Sequence, residues 1–322
     1  MYAIFAFPRS AATILAAAAL AACGGGEQRA DTAAGADSAR TASAPPSKQR
    51  DISGGLKTPE AARYDADLDV WFISNINGNP SAKDNNGFIT RARPDGAIDS
   101  LMFVAGGRGG VTLNAPKGMA IEGDTLWVAD IDAVRAFNKR TGAPIASVSF
   151  AGQRANFLND VAIGPDGNVY VTDTGIRFSA TGEMSAPGPD RVFSIGARNA
   201  ITVVAEGDSL GHPNGITYDR AGDRWVIVPF NARSILSLKA GEKMPTAIGT
   251  GPGQFDGVEV LGDGRILVSS WADSAVYAFR DGQATKVITG VPAPADIGYD
   301  AQRGVVAIPL FNSDRVELWS MR

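Results

Sequence analysis

The stretch "FLNDVAIGPDGNVYVTD", Phe157 to Asp173, holds two strand-length apolar segments around a Gly-Pro-Asp-Gly turn. Pro and Asp favour a tight turn, and the second Gly supplies the positive φ that reverses the chain. The same sentence recurs along the chain. Its opening reads "PEAARYD" from Pro59, "PKGMAIE" from Pro116, "LNDVAIG" from Leu158, "PNGITYD" from Pro213, "FDGVEVL" from Phe255 and "PADIGYD" from Pro294. Each is followed by a second apolar segment: "VWFIS", "LWVAD", "VYVTD", "WVIVP", "ILVSS" and "VVAIP".

Third segments ("GFITRA", "AVRAFN", "RVFSIG", "SILSLK", "AVYAFR", "RVELWS") and fourth segments ("SLMFVAG", "ASVSFAG", "ITVVAEG", "PTAIGTG", "TKVITG") complete each unit. Four short strands repeated at a period of roughly 40 to 55 residues indicate blades of a β-propeller. The expectation is an all-β, six-bladed propeller with four-stranded antiparallel blades over residues 51–322. A solenoid would use shorter coils, and a sandwich would not repeat its motif. Because the chain stops at Arg322, the sixth unit lacks a fourth strand. The segment around Arg50 to Gly54 is expected to supply it and to remove the exposed sheet edge.

Composition agrees with a globular protein that has a substantial core: 322 residues, 44% hydrophobic, 20% charged and a net charge of -4. That balance speaks against general nucleic-acid binding. The N-terminus differs. Arg9 precedes "AATILAAAALAAC", an apolar run of signal-peptide length and too short for a convincing spanning helix. Leu20-Ala21-Ala22-Cys23 resembles a bacterial lipobox, and Cys23 is the chain's single cysteine, so no disulfide competes for it. The reading is a lipoprotein signal over 1–22, then lipidated Cys23 and a flexible Gly/Ala/Ser/Thr tether over 23–50. The alternative is an ordinary secretory signal. Gly24 resembles the outer-membrane sorting pattern, which implies an exported protein anchored in the cell envelope and facing the periplasm.

In a propeller the first strand of each blade is innermost, so its opening residue lies at one mouth of the central channel. Glu60, Lys117, Asn159, Asn214, Asp256 and Ala295 should therefore form a ring. Two carboxylates and two amides converging there would repel or stay unsatisfied without a cation between them. Oxygen donors in that number suit a hard divalent ion such as Ca²⁺, with Mg²⁺ or Mn²⁺ as the other candidates. Soft-metal ligands are missing, since His212 is the only histidine. The bland alternative is turn chemistry, because Asn-Gly and Asp-Gly are common turn dipeptides.

The repeats and the Glu, Asn, Asn, Asp series resemble the SMP-30/gluconolactonase/LRE family, with related paraoxonase and phosphotriesterase propellers, over about residues 55 to 322. The resemblance implies a divalent-cation site at Glu60, Asn214 and Asp256 with Asn159 beside it, and hydrolysis of a lactone or related ester with Asp256 as the catalytic residue. Sugar-lactone hydrolases of the family often carry Arg two residues before the first Asn, where this chain has Phe157. Lys117 also enters the ring, where it could compete with the metal or bind an anionic substrate.

Two loops after second strands are long, Asn75 to Gly87 and Thr172 to Asp190, and read as rims of a pocket or as surface insertions. Shorter loops offer Phe230, Trp271 and Phe311 as apolar walls for a substrate or as packing between blades. The expected substrate contacts are thus Lys117, Phe157, Phe230, Trp271 and Phe311. No "GxSxG" elbow accompanies His212, which reads as a loop histidine. Two functions follow: a monomeric, membrane-tethered hydrolase of a small lactone or ester, or a non-catalytic NHL-like propeller binding a protein, peptide or glycan.

Overall fold

A computed structural model of the chain describes residues 44–322. Signal, lipobox and Cys23 lie outside the described residues. Six four-stranded antiparallel sheets follow one another, each ordered from the channel outward. Blade one comprises Pro59–Asp65, Val70–Asn75, Phe88–Ala92 and Ile98–Ala105, and blades two to five repeat it at first strands Pro116–Glu122, Leu158–Ile163, Pro213–Asp219 and Phe255–Val260. Second strands are almost wholly buried, as in Val70–Asn75, whereas fourth strands such as Pro144–Ser149 are mostly exposed. That gradient is why the second segments read as continuous apolar runs and the fourth ones alternate weakly.

The ring closes as expected, but earlier in the chain than the tether boundary at residue 50 implied. Strand Ser47–Ile52 pairs with Arg315–Ser320 as the outer strand of blade six. Only Ile52 of its six residues is buried, so backbone bonding rather than an apolar pattern makes it a strand. Lys48 Nζ reinforces the seam at 2.9 Å from Glu317 Oε1. On the inner side, Asp296 N donates to Glu60 O at 2.8 Å and Ala62 N to Asp296 O at 3.2 Å, which joins blade six to blade one.

The core lies between blades. One apolar cluster combines Ala129 and Val134 of blade two with Val161, Val171 and Phe193 of blade three, and Phe150 meets Phe193 at 5.1 Å. Side-chain caps hold the chain where it enters blades one to four. In blades one to three the last residue of the second strand, Asn75, Asp130 or Asp173, accepts backbone N–H bonds from residues 57, 114–115 and 156–157. Blade four ends that strand in Pro229, so Asp190 takes over: it accepts from His212 N at 2.5 Å and meets His212 Nδ1 at 2.7 Å. His212 is thus part of a cap, consistent with its reading as a loop histidine.

The candidate metal centre at the channel mouth

In each of blades one to five the strand register breaks immediately after the opening: between Pro59 and Ala61, Pro116 and Met119, Leu158 and Val161, Pro213 and Ile216, and Phe255 and Val258. These bulges lift residues 60, 117, 159, 214 and 256 out of the ladder and re-aim their side chains. Blades one, three and five satisfy the freed amides with second-strand hydroxyls. Ala61 N donates to Ser74 Oγ (2.9 Å), Asp160 N to Thr172 Oγ1 (3.0 Å) and Gly257 N to Ser269 Oγ (2.8 Å). Thr172 and Ser269 in turn donate to Asn214 O and Ala295 O, so in blades three and five the hydroxyls also tie the opening to the next blade.

The four oxygen-bearing openings are all buried. Three of them end in an oxygen with no partner: Glu60 Oε2, Asn159 Oδ1 and Asp256 Oδ1. The orientations are set by the other half of each group. Asn159 Nδ2 donates to Thr174 Oγ1 (3.0 Å), whose own proton goes to Pro213 O (2.9 Å), which fixes Oδ1 as the free end of the amide. Asn214 Nδ2 donates to Phe255 O (3.3 Å), and Trp271 Nε1 to Asp256 Oδ2 (2.9 Å). Buried oxygens without donors cost free energy, so each of the three calls for a hydrogen-bond donor or a cation. Among the described residues no three His, Cys, Asp or Glu side chains gather as a metal site, so any cation here rests on amides as well as carboxylates.

Electrostatics supports the same conclusion. Burial, together with Asp256, pushes the Glu60 carboxyl well above its ordinary value, and burial raises Asp256 to about 7 against the hydrogen bonds from Trp271 and Asn214. Both carboxylates can be ionised together only with compensating positive charge. Lys117 is wholly buried, its ammonium donating to Pro80 O and Ala115 O at 3.0 Å each and lying 4.2 Å over the Phe157 ring, and its charge partly offsets the rise in Glu60. Burial lowers its pKa to about 8, against Glu60 and Asp130.

A second charged layer below the openings was not foreseen. Arg63 donates to Met119 O (2.7 Å) and pairs with Glu259 and with Asp296 Oδ2, the latter at 3.3 Å. Asp160 accepts from Val161 N and Ile216 N. Burial raises Asp160 to about 6 and Glu259 to about 7, and carries Asp296 well up, whose Oδ1 is unpartnered. The signal lay in the residue after each opening, Ala61, Gly118, Asp160, Gly215, Gly257 and Asp296. A Cβ on Gly118 would sit 2.1 Å from Asp160 Oδ1, and one on Gly257 2.7 Å from Asp296 Oδ1, so the glycines make room for the acids of the following blade.

Around the mouth, Phe230, Trp271 and Phe311 are half-buried and occupy one register: the first residue after the second strand in blades four, five and six. Two clefts, of about 410 Å³ beside Arg224, Phe279 and Arg280 and about 510 Å³ beside Asp65, Asp124 and Lys139, lie at the turns on the opposite face. Neither gathers unpaired donors or acceptors comparable to the ring.

Propeller, bulged openings and oxygen ring together define a class of protein, and comparison with known proteins names it. Residues 85–297 match the SMP-30/gluconolactonase/LRE-like region, and the chain belongs to that family. No curated protein matches in sequence. Similar solved structures include a structural-genomics target assigned as a gluconolactonase (TM-score 0.64, 17% identity, covering 87% of this chain and 92% of that one). A gluconolactonase from Xanthomonas campestris scores 0.64 at 16% identity, with 86% and 94% covered. A streptogramin B lyase scores 0.59 at 11% identity, with 86% and 98% covered. At these identities the likeness is one of fold, and it spans more than one reaction class.

Proposed function

We propose that this propeller is a divalent-cation-dependent hydrolase of a lactone or related ester, with Glu60, Asn159, Asn214 and Asp256 holding Ca²⁺, or Mg²⁺ or Mn²⁺ in its place. The observation that carries the reading is the trio of buried, partnerless oxygens on three separate blades, Glu60 Oε2, Asn159 Oδ1 and Asp256 Oδ1. Bound there, such a cation supplies Lewis acidity to a carbonyl oxygen and acidifies a neighbouring water. Asp256 would take up the attacking water's proton as the new C–O bond forms and return it to the alkoxide oxygen released when the acyl C–O bond breaks. Trp271 Nε1 keeps the carboxylate oriented through Oδ2. Without a cation burial raises Asp256 to about 7; a bound cation would lower that value and keep the carboxylate ionised, ready to accept a proton, at neutral pH. Asn159 and Asn214 orient the acyl group, and Glu60 acts as a ligand.

The same proposal includes export and lipidation at Cys23, which would hold the enzyme on the envelope as a monomer facing its small-molecule substrate. Metabolic labelling with a radioactive fatty acid, lost in Cys23→Ala, tests that part. For the chemistry, calcium titration of the chelator-treated protein should show one saturable site, and Asp256→Ala should abolish hydrolysis while the melting transition persists. Turnover in ¹⁸O-water separates the two reaction classes of the structural neighbours: label in the carboxylate product marks hydrolysis, and unlabelled product marks elimination. No cation binding would favour the non-catalytic, partner-binding propeller.

A further inference from the structure

The mouth is closed over one half and open over the other, and the two halves differ in chemistry. Over blade two, whose own loop is a bare turn at Ile131 and Asp132, the long loops of blades one and three meet. Asn79 Nδ2 donates to Ser179 O at 2.7 Å and Phe178 N to Ser81 Oγ at 3.0 Å. The hairpin Arg177–Phe178 with Met184–Ser185 stiffens the blade-three side, and Phe178 packs on Phe157 with ring centroids 5.8 Å apart. Beneath this bridge Lys117 spends two of its three protons on Pro80 O and Ala115 O and faces an aromatic ring. Its ammonium is therefore committed to the protein and covered.

Over blades four to six the loops are short turns, each opening on an aromatic ring. Phe230 and Trp271 meet edge to face at 5.9 Å, and Trp271 and Phe311 at 5.3 Å. The charged residues of these turns point elsewhere. Arg233 Nε donates to Gly251 O (3.0 Å), Asp273 pairs with Lys286 (2.6 Å), and Asp314 binds Lys57 (3.1 Å) and Thr58 N (2.8 Å). What remains, beside the exposed amides of Asn231 and Asn312, is a row of three aromatic rings in contact, anchored to the candidate base through the Trp271–Asp256 bond. Aromatic faces are large, stiff apolar surfaces that favour flat apolar partners, and a hydroxyl or charge pressed against them finds no hydrogen bond to replace its water.

We propose, resting on the hydrolase reading above, that the substrate is an uncharged lactone or ester carrying a flat apolar substituent, which enters over blades four to six and seats that substituent on Phe230, Trp271 and Phe311. A sugar-acid lactone, whose hydroxyls need donors and acceptors along its whole edge, is the wrong shape of chemistry for that wall.

The test uses the full-length protein with excess calcium. γ-Phenyl-γ-butyrolactone should be hydrolysed with kcat/KM on the order of ten- to a hundred-fold above γ-butyrolactone, the span an apolar group gains in an apolar pocket, and glucono-δ-lactone should trail both. In a Phe230→Leu, Phe311→Leu double variant the phenyl preference should collapse towards unity, with calcium titration reporting that the ring is intact. In parallel, ligand-observed NMR with 3-phenylcyclopentanone, which cannot be hydrolysed, should show binding to wild type and its loss in the double variant. Lactone turnover with no phenyl preference, or with glucono-δ-lactone favoured, overturns the inference and leaves the hydrolase reading standing. Ketone binding that depends on the two rings, with no lactone turned over, upholds the wall and sinks the hydrolase. Ketone binding indifferent to the double variant overturns the inference whatever the kinetics.

Discussion

Trp271 donates its indole N–H to Asp256 Oδ2 at 2.9 Å, so one oxygen of the candidate catalytic carboxylate is tied down while Oδ1 stays buried and partnerless. This bond also lowers the Asp256 pKa against the burial that lifts it to about 7. Hydrogen bonds to charged groups contribute about 1.5–3 kcal/mol each. Trp271→Phe keeps an aromatic ring and deletes only the donor. The expected result is a roughly ten-fold or larger loss in calcium affinity and an acidic limb of the kcat/KM–pH profile displaced to higher pH. An unmoved limb would show that Asp256 is not the group titrating in catalysis.

The buried carboxyls predict how the chelator-treated protein responds to pH. Asp256 titrates near 7 when folded and near 4 when unfolded, and Glu60 and Asp296 shift in the same direction. Groups whose folded pKa is raised stabilise fully below their unfolded value, and that contribution is lost as pH climbs through the folded one. Glu317 runs the other way: burial lifts it, but the bonds from Lys48, Arg315 and Trp319 outweigh burial and lower it, so its contribution is lost on acidification below about 4.5. Without cation, the melting temperature should therefore peak near pH 5 and fall by about 5 °C or more by pH 8. Saturating calcium should restore the loss and release protons, readable by calorimetry in two buffers of different ionisation enthalpy. A flat profile without calcium would contradict a carboxylate pair buried at the mouth.

Thr174 presents a cleaner separation of site from scaffold. Its hydroxyl accepts from Asn159 Nδ2 and donates to Pro213 O, which fixes Asn159 Oδ1 as the buried, partnerless end of the amide. Thr174→Val preserves shape and removes both bonds, leaving the amide free to rotate and a buried carbonyl unpaired, a cost of about 1–3 kcal/mol. Calcium affinity should fall several-fold more than Asn159-independent properties such as the far-ultraviolet circular dichroism, which should be unchanged. Equal affinity in the variant would remove Asn159 from the ligand set.

How much of this was legible in the sequence depends on the physical layer. The blades were, because buried second strands such as Val70–Asn75 are written as apolar runs between turns. The opening residues were also legible, because each sits at a fixed distance from its turn. The closing strand started earlier than read, since five of the six residues in Ser47–Ile52 face solvent and only ladder bonding declares them. Arg63, Asp160, Glu259 and Asp296 were missed because their neighbours belong to other blades: the Arg63–Glu259 pair spans 196 positions. The bridge between residues 79 and 179 is likewise invisible to local pattern, since loop meets loop over the short turn of blade two.

The glycines beside the buried acids make the last prediction. A Cβ on Gly257 would lie 2.3 Å from Ile297 N and 2.6 Å from Asp296 Cα, and backbone cannot step aside as a flexible side chain would. Gly257→Ala should therefore push blades five and six apart at the channel. Overpacking of this kind costs about 1–3 kcal/mol or more, which predicts a melting temperature lower by roughly 5 °C and weaker calcium binding, because Asp256 precedes the displaced residue. Gly167→Ala is the control. Its φ of +75° strains any side chain, yet nothing lies within 4 Å of the added carbon, so it should lose about 1 kcal/mol with calcium affinity intact. If the two variants weaken calcium binding alike, the effect is general destabilisation, and the close approach of Gly257 to Asp296 does not shape the site.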